Sequence, residues 1–229
     1  MSLFVTFEGG EGSGKTTQVE LLTERMREAD VPCVVVREPG TTSLGWYVRD
    51  WLKRGALTGE TLSGEAELFL FAAARVELVS KVLRPALAQA DTVVVADRYA
   101  DSTRAYQGHG RGISTKYIDL VNEIATLGIR PDVTFLLDCR PEAGLDRVGA
   151  IQLSLPLERG PAPSNARREE EGTRFEQESM EFHQRVREGY LKLTEEDPDR
   201  WTVIDATRPA AEIGDAVWER LLHALPGAG

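Results

Sequence analysis

The sequence has few of the features that mark secreted or membrane-spanning proteins. It contains only two cysteines, Cys33 and Cys139, which lie in or beside apolar runs and lack metal-ligand spacing. They predict core thiols in a reducing compartment. The longest apolar run, Leu68 to Ala74, is far shorter than the roughly 20 residues that span a bilayer, and no basic-then-apolar leader opens the chain. We therefore expect a cytoplasmic protein with no membrane partner.

Positive charge is also scarce. The 27 Lys and Arg residues stand against 37 Asp and Glu residues, for a net charge of −10. A nucleic-acid surface needs a basic face that displaces counterions, so we expect no nucleic-acid partner, whereas a small anion needs only a local basic pocket. The 229 residues, 41% of them hydrophobic, suffice for one sizeable core. We expect a single domain over residues 1–229.

Strand and helix patterns alternate along the chain. Apolar runs predict strands at Leu3–Phe7, Val31–Val36, Thr92–Ala96, Val133–Asp138 and Trp201–Ile204. Helical spacing appears at 15–29, 64–89, 115–127, 141–149, 172–196 and 209–223. This alternation predicts an α/β fold, a doubly wound parallel sheet that binds ligands at the carboxyl ends of its strands. The one compositional break, the proline-containing segment 151–165, predicts a long surface loop and places a lid at about 147–173.

The most informative motif follows the first strand. Residues 9–16 form a complete G-x-x-x-x-G-K-[ST] phosphate loop at a strand-to-helix junction. Its backbone N–H groups and the helix dipole favour phosphate oxygens, Lys15 reaches the β and γ phosphates, and the Thr16 hydroxyl suits Mg²⁺. The predicted ATP-binding residues are Gly9, Gly10, Glu11, Gly12, Ser13, Gly14, Lys15, Thr16 and Thr17.

Two further groups of candidate functional residues lie at a strand end and on a helix face. Asp97 and Arg98 follow the third strand, where a carboxylate can hold Mg²⁺ and an arginine can neutralise phosphate, although a surface ion pair is the alternative. Arg75 shares a helix face with Phe71 and with apolar residues. A buried arginine needs a protein carboxylate or a ligand acceptor, and Phe71 offers a flat surface to a base. The pattern leaves both partners of Arg75 open.

Several of these segments, in this order, resemble bacterial thymidylate kinases. They are Phe4 to Gln18, Arg37-Glu38-Pro39-Gly40, Phe71 to Arg75, Asp97 to Gly108, Pro131-Asp132 and Arg174 to Glu178. The resemblance covers nearly the whole chain. It implies a three-layer, five-stranded sheet of order 2-3-1-4-5, Mg²⁺-dependent transfer of the γ-phosphoryl group of ATP to dTMP in dTTP synthesis, and a homodimer packed through helices, with the helix from Ser63 to Ala90 as candidate.

The resemblance also implies roles for individual residues. Lys15 and the loop hold the donor phosphates, Thr16 and Asp97 organise Mg²⁺, and Arg37 and Arg98 face the acceptor phosphate. The residues implied for the nucleoside of dTMP are Glu11 at the sugar 3′-hydroxyl, Phe71 and Arg75 at the base, Thr103 at its N3 edge, Tyr106 at the 2′ position, and Gln107 either at the base or as loop scaffold.

The lid matches the family pattern least well. Where the phosphate loop lacks an arginine, as Glu11-Gly12-Ser13 does here, a basic lid residue is expected to stabilise the transferring group. We favour Arg147 together with Arg167 or Arg168, while Arg159 and Arg174 are further candidates. A solvated surface charge is the alternative for each of them.

Two other functions remain open at this stage. A small phosphate-loop kinase for another monophosphate or for a deoxynucleoside would use the Phe71 and Arg75 region for a different acceptor. A nucleotide-dependent switch would bind ATP without acceptor-stimulated turnover. A panel of acceptor substrates distinguishes these hypotheses from a thymidylate kinase.

Overall fold

A parallel five-stranded sheet forms the centre of the protein. In the computed structural model, which describes residues 2–58, 62–154 and 174–225, the strands are β1 (Leu3–Glu8), β2 (Cys33–Arg37), β3 (Val93–Asp97), β4 (Val133–Asp138) and β5 (Trp201–Asp205). Their order is β2-β3-β1-β4-β5, and every pairing is parallel. The predicted fold class and strand order are therefore confirmed.

The central strand is apolar on both faces because helices cover both. Leu3, Val5 and Phe7 point into a cluster with residues of the first and last helices. Phe4 points to the opposite face, into a separate cluster. Such two-sided burial is what a parallel sheet requires, and it explains why the strands appear in the sequence as unbroken apolar runs.

The helices and helical turns lie between the strands or after the last one. They are α1 (Lys15–Glu28), α2 (Ser43–Thr58), α3 (Gly64–Leu78), a π-helical turn (Val79–Leu83), α4 (Arg84–Leu87), α5 (Ala100–Thr103), a π-helical segment (Arg104–Gly110), α6 (Thr115–Thr126), α7 (Pro141–Ser154), a 3₁₀ turn (Arg174–Gln177), α8 (Met180–Glu196) and α9 (Ala210–Ala224). None of the helices in the described ranges is both long and apolar enough to cross a membrane.

Several helix predictions need correction. Helix α2 and the helical region 100–110 were not predicted. The helix predicted at 172–196 begins only at Met180, because Ser179 caps it by accepting a hydrogen bond from the Phe182 N–H at 3.3 Å. The segment 64–89 is helical only to Leu87 and contains a π-helical turn. Helix α7 runs to Ser154, so the first residues of the predicted loop 151–165 are helical.

Most of the predicted lid, residues 155–173, falls outside the described residues. Arg159, Arg167 and Arg168 are therefore outside them as well. Arg147 lies within α7. The lid boundaries and the single-domain organisation remain predictions.

Helix α8 packs against the π-helical segment through glycines. A Cβ atom on Gly110 would lie 2.6 Å from the ring of Phe182 on α8, and one on Gly189 would lie 2.7 Å from the ring of His109. Contacts this short exclude any larger side chain without rearrangement. The glycines bring α8 close enough for Tyr190 to reach the carboxyl end of β1.

Glu8, the last residue of β1, is fully buried beneath α5 and α8. Its carboxylate accepts hydrogen bonds from the Tyr99 N–H at 2.8 Å, the Ser102 hydroxyl at 2.5 Å and the Tyr190 hydroxyl at 2.9 Å. Burial, and then the nearby charge of Asp101, raise the pKa of Glu8 to about 7. The strand thus ends in a carboxylate that titrates near neutral pH.

The glycine contact of α8 predicts that alanine at Gly189 destabilises the protein, whereas helix propensity alone predicts that it stabilises it. Gly189→Ala should lower the free energy of unfolding by roughly 1–3 kcal/mol through overpacking. Gly149→Ala is the matched control, because Gly149 also lies in a helix but a Cβ there meets nothing within 4 Å. The control should gain about 0.5–1 kcal/mol from propensity. Urea unfolding of both variants tests this, and stabilisation by Gly189→Ala would contradict the packing.

The raised pKa of Glu8 predicts a pH dependence of stability. The unfolded chain ionises Glu8 near the ordinary 4.5 and the folded protein only near 7, so ionisation disfavours the folded state as the pH rises between those values. Glu8→Gln removes this loss. Its free energy of unfolding relative to the wild type should rise from about pH 5 to about pH 8 and then level off, as measured by urea titration. Parallel pH profiles would contradict the assignment.

Candidate active site

A cavity of about 660 Å³ opens at the carboxyl ends of β1, β2 and β3. Most of the predicted site residues line this one space. They are Glu11, Gly12, Ser13, Gly14, Lys15, Thr16, Thr17, Arg37, Phe71, Arg75, Asp97, Arg98, Thr103, Tyr106, Gln107 and Arg147. Gly9 and Gly10 do not line it; Gly9 lies against the Leu137 carbonyl, and Gly10 lines a second, smaller pocket.

The phosphate loop is built from left-handed glycines and a lysine that folds over it. Gly12 and Gly14 have φ values of 64° and 89°, a conformation that glycine adopts without steric cost. The Lys15 ammonium donates hydrogen bonds to the carbonyls of Gly9 at 3.2 Å and Gly10 at 2.7 Å. Burial, and then the charge of Arg98, lower the pKa of Lys15 to about 8. The loop therefore presents a dehydrated cation at the N-terminus of α1.

Helix α7 touches the phosphate loop through its backbone. A Cβ atom on Gly12 would lie 1.9 Å from the Gly144 carbonyl oxygen, and one on Gly144 would lie 2.2 Å from the Glu11 carbonyl oxygen. From the same helix, Arg147 donates to the Ala206 carbonyl at 2.9 Å, in the turn after β5. The helix that leads toward the predicted lid is thus in direct contact with the loop.

Oxygen ligands and a cation meet where β2 and β3 end. Arg37 and Asp97 are paired in the parallel register, and the Arg37 Nε lies 3.4 Å from the Asp97 Oδ2. The Thr16 hydroxyl donates to the same Asp97 oxygen at 2.9 Å. A hydroxyl and a carboxylate side by side are the hard oxygen donors that Mg²⁺ prefers.

Arg98 has a left-handed backbone with φ 72°, a conformation that is strained for a long side chain and is concentrated at functional sites. Its Nη1 donates to the Gly9 carbonyl at 2.9 Å, and its Nη2 donates to Glu11 at 3.1 Å and to the Tyr106 hydroxyl at 3.0 Å. Burial pushes the pKa of Glu11 upward, but the charges of Arg98 and Lys15 more than offset it, so the pKa is lowered. Glu11 is therefore a carboxylate at neutral pH.

Arg75 lies at the other end of the cavity, with 1% of its surface exposed. It forms an ion pair with Glu38 and donates to Asn122 at 2.6 Å and to the Thr103 hydroxyl at 2.8 Å. Among the described residues, the Arg75 Nε and the Glu38 Oε2 have no hydrogen-bond partner. Both hypotheses for Arg75 thus find support, because a protein carboxylate meets it and the residue also lines the cavity.

Aromatic rings form the wall next to Arg75. The rings of Phe71 and Phe175 lie 6.2 Å apart at 29°, and Tyr106 meets Phe175 edge-on at 5.1 Å. Gln107 donates to the buried carboxylate of Glu67 at 2.6 Å. A flat apolar ligand between polar ends would fit this wall.

Sequence reasoning missed several lining residues. They are Glu38, Pro39, Arg49, Leu52, Ser102, Ala150 and Phe175. Arg49 and Leu52 belong to α2, for which the spacing of Val48, Trp51 and Leu52 was an available helical signal. Ser102 and Phe175 stand inside segments that the family resemblance already covered, but no local pattern singles them out.

Comparison with known proteins agrees with this arrangement. A family model described as thymidylate kinase matches residues 7–217. A thymidylate kinase of Thermomicrobium roseum is 46% identical over 98% of this chain and 97% of its own, and one of Desulfosudis oleivorans is 43% identical over 92% of each.

A solved structure shows the same family likeness in its fold. A crystal structure of thymidylate kinase from Ehrlichia chaffeensis superposes with a TM-score of 0.71 at 33% identity, covering 96% of this chain and 98% of that one. Both the family match and the full-length relatives extend over the phosphate loop, the Arg75 helix and the Asp97-Arg98 segment. The chain therefore belongs to the thymidylate kinase family.

Proposed function

We propose that this protein transfers the γ-phosphoryl group of ATP to dTMP, giving ADP and dTDP for the synthesis of dTTP. One observation carries the proposal: the phosphate loop and the Phe71, Arg75 and Tyr106 group line the same cavity. A donor held by the loop and an acceptor held by the aromatic wall would therefore share one cavity. Family membership supports both substrates.

On the donor side, the loop N–H groups and Lys15 would hold the ATP phosphates. The lowered pKa of Lys15, about 8, reflects a burial cost that an arriving phosphate would relieve. The turn that follows β5, held by Arg147 through the Ala206 carbonyl, would lie on the adenine side. Gly14, where an added Cβ would meet nothing within 4 Å, leaves the loop backbone open to close approach.

Thr16 and Asp97 would hold Mg²⁺, whose charge would neutralise the phosphate oxygens during transfer. The fit is supported by their hydroxyl and carboxylate oxygens, which lie 2.9 Å apart. Within the described ranges no group of three or more His, Cys, Asp or Glu side chains could hold a metal. Water and phosphate oxygens would therefore complete the ligand set, as is usual for Mg²⁺.

The acceptor phosphate would be bound by Arg37 and Arg98. A phosphate monoester has a second pKa of about 6, so it is largely a dianion near neutral pH and needs no strong general base. Catalysis would then rest on in-line positioning and charge neutralisation. Their location supports this role, since Arg37 pairs with Asp97 in the strand register and Arg98 follows Asp97 directly.

The nucleoside of dTMP would lie along the aromatic wall. Phe71 would stack on thymine and Arg75 would donate to a base carbonyl, and the position of both residues in the cavity wall supports those contacts. The remaining residues proposed for the nucleoside are Thr103 at the N3 edge, Tyr106 at the 2′ position, Glu11 at the 3′-hydroxyl, and Gln107 as a base contact or as scaffold. For Gln107, the bond to Glu67 favours scaffold.

Transition-state charge on the transferring group calls for a further cation. We assign this role to Arg147 together with Arg167 or Arg168. Arg147 lines the cavity, which supports its part of the assignment. The other two belong to the segment outside the described residues.

A homodimer and a cytoplasmic location complete the proposal. Helix α6 exposes an apolar stripe, and α3 exposes Phe69 with 62% of its surface accessible. Such side chains on neighbouring helices support packing against a second copy. The stripe on α6 consists of Tyr117, Leu120 and Ile124. Cys33 and Cys139 are free thiols, which suits a reducing compartment.

The proposal is tested by ADP formation from ATP and Mg²⁺ with each deoxynucleoside monophosphate in turn. Acceptor-free and thymidine reactions serve as controls. We expect strong stimulation by dTMP and weaker stimulation by dUMP, because one methyl group in an apolar pocket is worth only about 1–3 kcal/mol. Stimulation by a different acceptor would contradict the assignment of the pocket. An absence of stimulation by any acceptor would favour a nucleotide-dependent switch.

Arg75→Lys tests base recognition while keeping a positive charge beside Glu38. Lysine lacks the fork that reaches Asn122 and Thr103 together with a ligand, so KM for dTMP should rise about tenfold with KM for ATP unchanged. Arg104→Lys is the matched control, since Arg104 makes two ion pairs, to Asp119 and Glu196, and does not line the cavity. An equal rise in both KM values would rule out the base contact.

A further inference from the structure

Tyr190 and Glu8 form a polar cluster that the proposed roles leave unused. Both side chains are buried, with 1% and 0% of their surfaces exposed. Tyr190 comes from α8 and Glu8 from the end of β1. With Ser102 of α5 they meet directly behind Arg98. Buried polar side chains that are fully hydrogen-bonded to one another fix the positions of their neighbours, so this cluster can act on Arg98.

The distances define a closed triangle of oxygens next to a guanidinium. The Glu8 Oε2 lies 2.5 Å from the Ser102 Oγ and 2.9 Å from the Tyr190 hydroxyl, which are 2.8 Å from each other. The Arg98 Nη1 donates to both hydroxyls at 3.2 Å. The triangle therefore contains two hydroxyl protons, and its two hydroxyl oxygens accept from Arg98.

Proton accounting fixes the direction of these bonds. An ionised carboxylate only accepts, and a guanidinium only donates. Because both hydroxyls donate to Glu8, neither has a proton left for the other, so donation runs from Arg98 to the two hydroxyls and from the hydroxyls to Glu8. The same order holds on the other side of the guanidinium, where Tyr106 donates to Glu11 at 2.7 Å and accepts from the Arg98 Nη2. Carboxylates thus aim the lone pairs of the surrounding hydroxyls at Arg98.

This shell also leaves a defined part of Arg98 for a ligand. The Nη1 and Nη2 groups have acceptors at the Gly9 carbonyl, Glu11 and the three hydroxyls. Across the described residues, the Nε–H of Arg98 has no recorded acceptor, and Arg98 lines the main cavity. An unrestrained arginine side chain samples many rotamers, and ordering it on ligand binding costs conformational entropy. The shell removes this freedom before any anion arrives.

We propose that Tyr190 and Glu8 are positioning residues for Arg98. The Glu8 carboxylate accepts hydrogen bonds from the Tyr190 and Ser102 hydroxyls, so that the lone pairs of these hydroxyls accept from the guanidinium and hold it where an acceptor phosphate binds. The inference rests on the proposed function, which gives Arg98 that phosphate. It assigns a role to α8, the helix that follows the predicted lid. The charged groups that act on Glu8 are Arg98, Asp101 and Lys15.

The test separates the phosphate from the rest of the acceptor. Dissociation constants for dTMP and for thymidine are measured by calorimetry at about pH 8, where Glu8 is ionised. Tyr190→Phe removes one oxygen, and Glu8→Gln puts an amide donor beside the hydroxyls. Each variant should bind dTMP about tenfold more weakly, while thymidine affinity stays unchanged, because thymidine lacks the phosphate that Arg98 would hold.

Tyr99→Phe is the matched control. It also removes a buried tyrosine hydroxyl, but this one donates to the Ile129 carbonyl at 3.2 Å instead of bonding to Glu8. It should lower stability without changing the ratio of the two dissociation constants. Circular dichroism establishes that each variant is folded, and Ser102→Ala replaces Tyr190→Phe if the latter unfolds.

The possible outcomes are distinct. A selective loss of dTMP affinity supports the positioning role. Equal losses for dTMP and thymidine, or no loss, overturn it while the proposed function stands. If the wild-type protein is folded and dTMP neither binds nor stimulates ADP formation, the proposed function itself fails.

Discussion

The hydrogen-bond shell of Arg98 is the interaction on which the rest of the site depends. Its guanidinium reaches the carbonyl of Gly9 at the start of the phosphate loop, the hydroxyl of Tyr106 and the hydroxyl of Tyr190 on α8. A cation that is buried in this way must be surrounded by acceptors, because an unpaired buried charge is expensive. The acceptors come from elements far apart in sequence. Satisfying one arginine therefore fixes the relative positions of the phosphate loop, the π-helical segment and α8.

This arrangement buries two ionisable side chains, Glu8 and Lys15, near the end of β1, where removal from water disfavours their charged forms. The pKa of Glu8 is raised to about 7 and that of Lys15 is lowered to about 8, in both cases mainly by burial. Each shift means that the folded protein resists the charged form. Active sites often hold such groups, since removal from water strengthens every remaining electrostatic contact with a ligand. The apolar clusters on both faces of the sheet supply the stability against which this cost is set.

The two helices that flank the predicted lid are both anchored by glycine contacts. On the N-terminal side, Gly144 of α7 touches the phosphate loop at Gly12. On the C-terminal side, Gly189 of α8 lies against His109 of the π-helical segment. The contact between Gly144 and the phosphate loop is backbone against backbone and tolerates little displacement, because neither partner has a side chain that can rotate away. The two helices thus contact the phosphate loop on one side and, through Tyr190, the Arg98 shell on the other.

The sequence by itself determined the strands of the sheet, most of its flanking helices and the phosphate loop, because apolar periodicity and the strand-loop-helix motif are local signals. It also placed Asp97 and Arg98 at a strand end. Only the tertiary structure decided which partners meet there: Glu38 faces Arg75 across 37 residues, and Tyr190 reaches Glu8 across 182. Helix α2 was not predicted, although the apolar spacing of Val48, Trp51 and Leu52 was present. Long-range partners leave no periodic trace, since their choice depends on how helices pack after the sheet has formed.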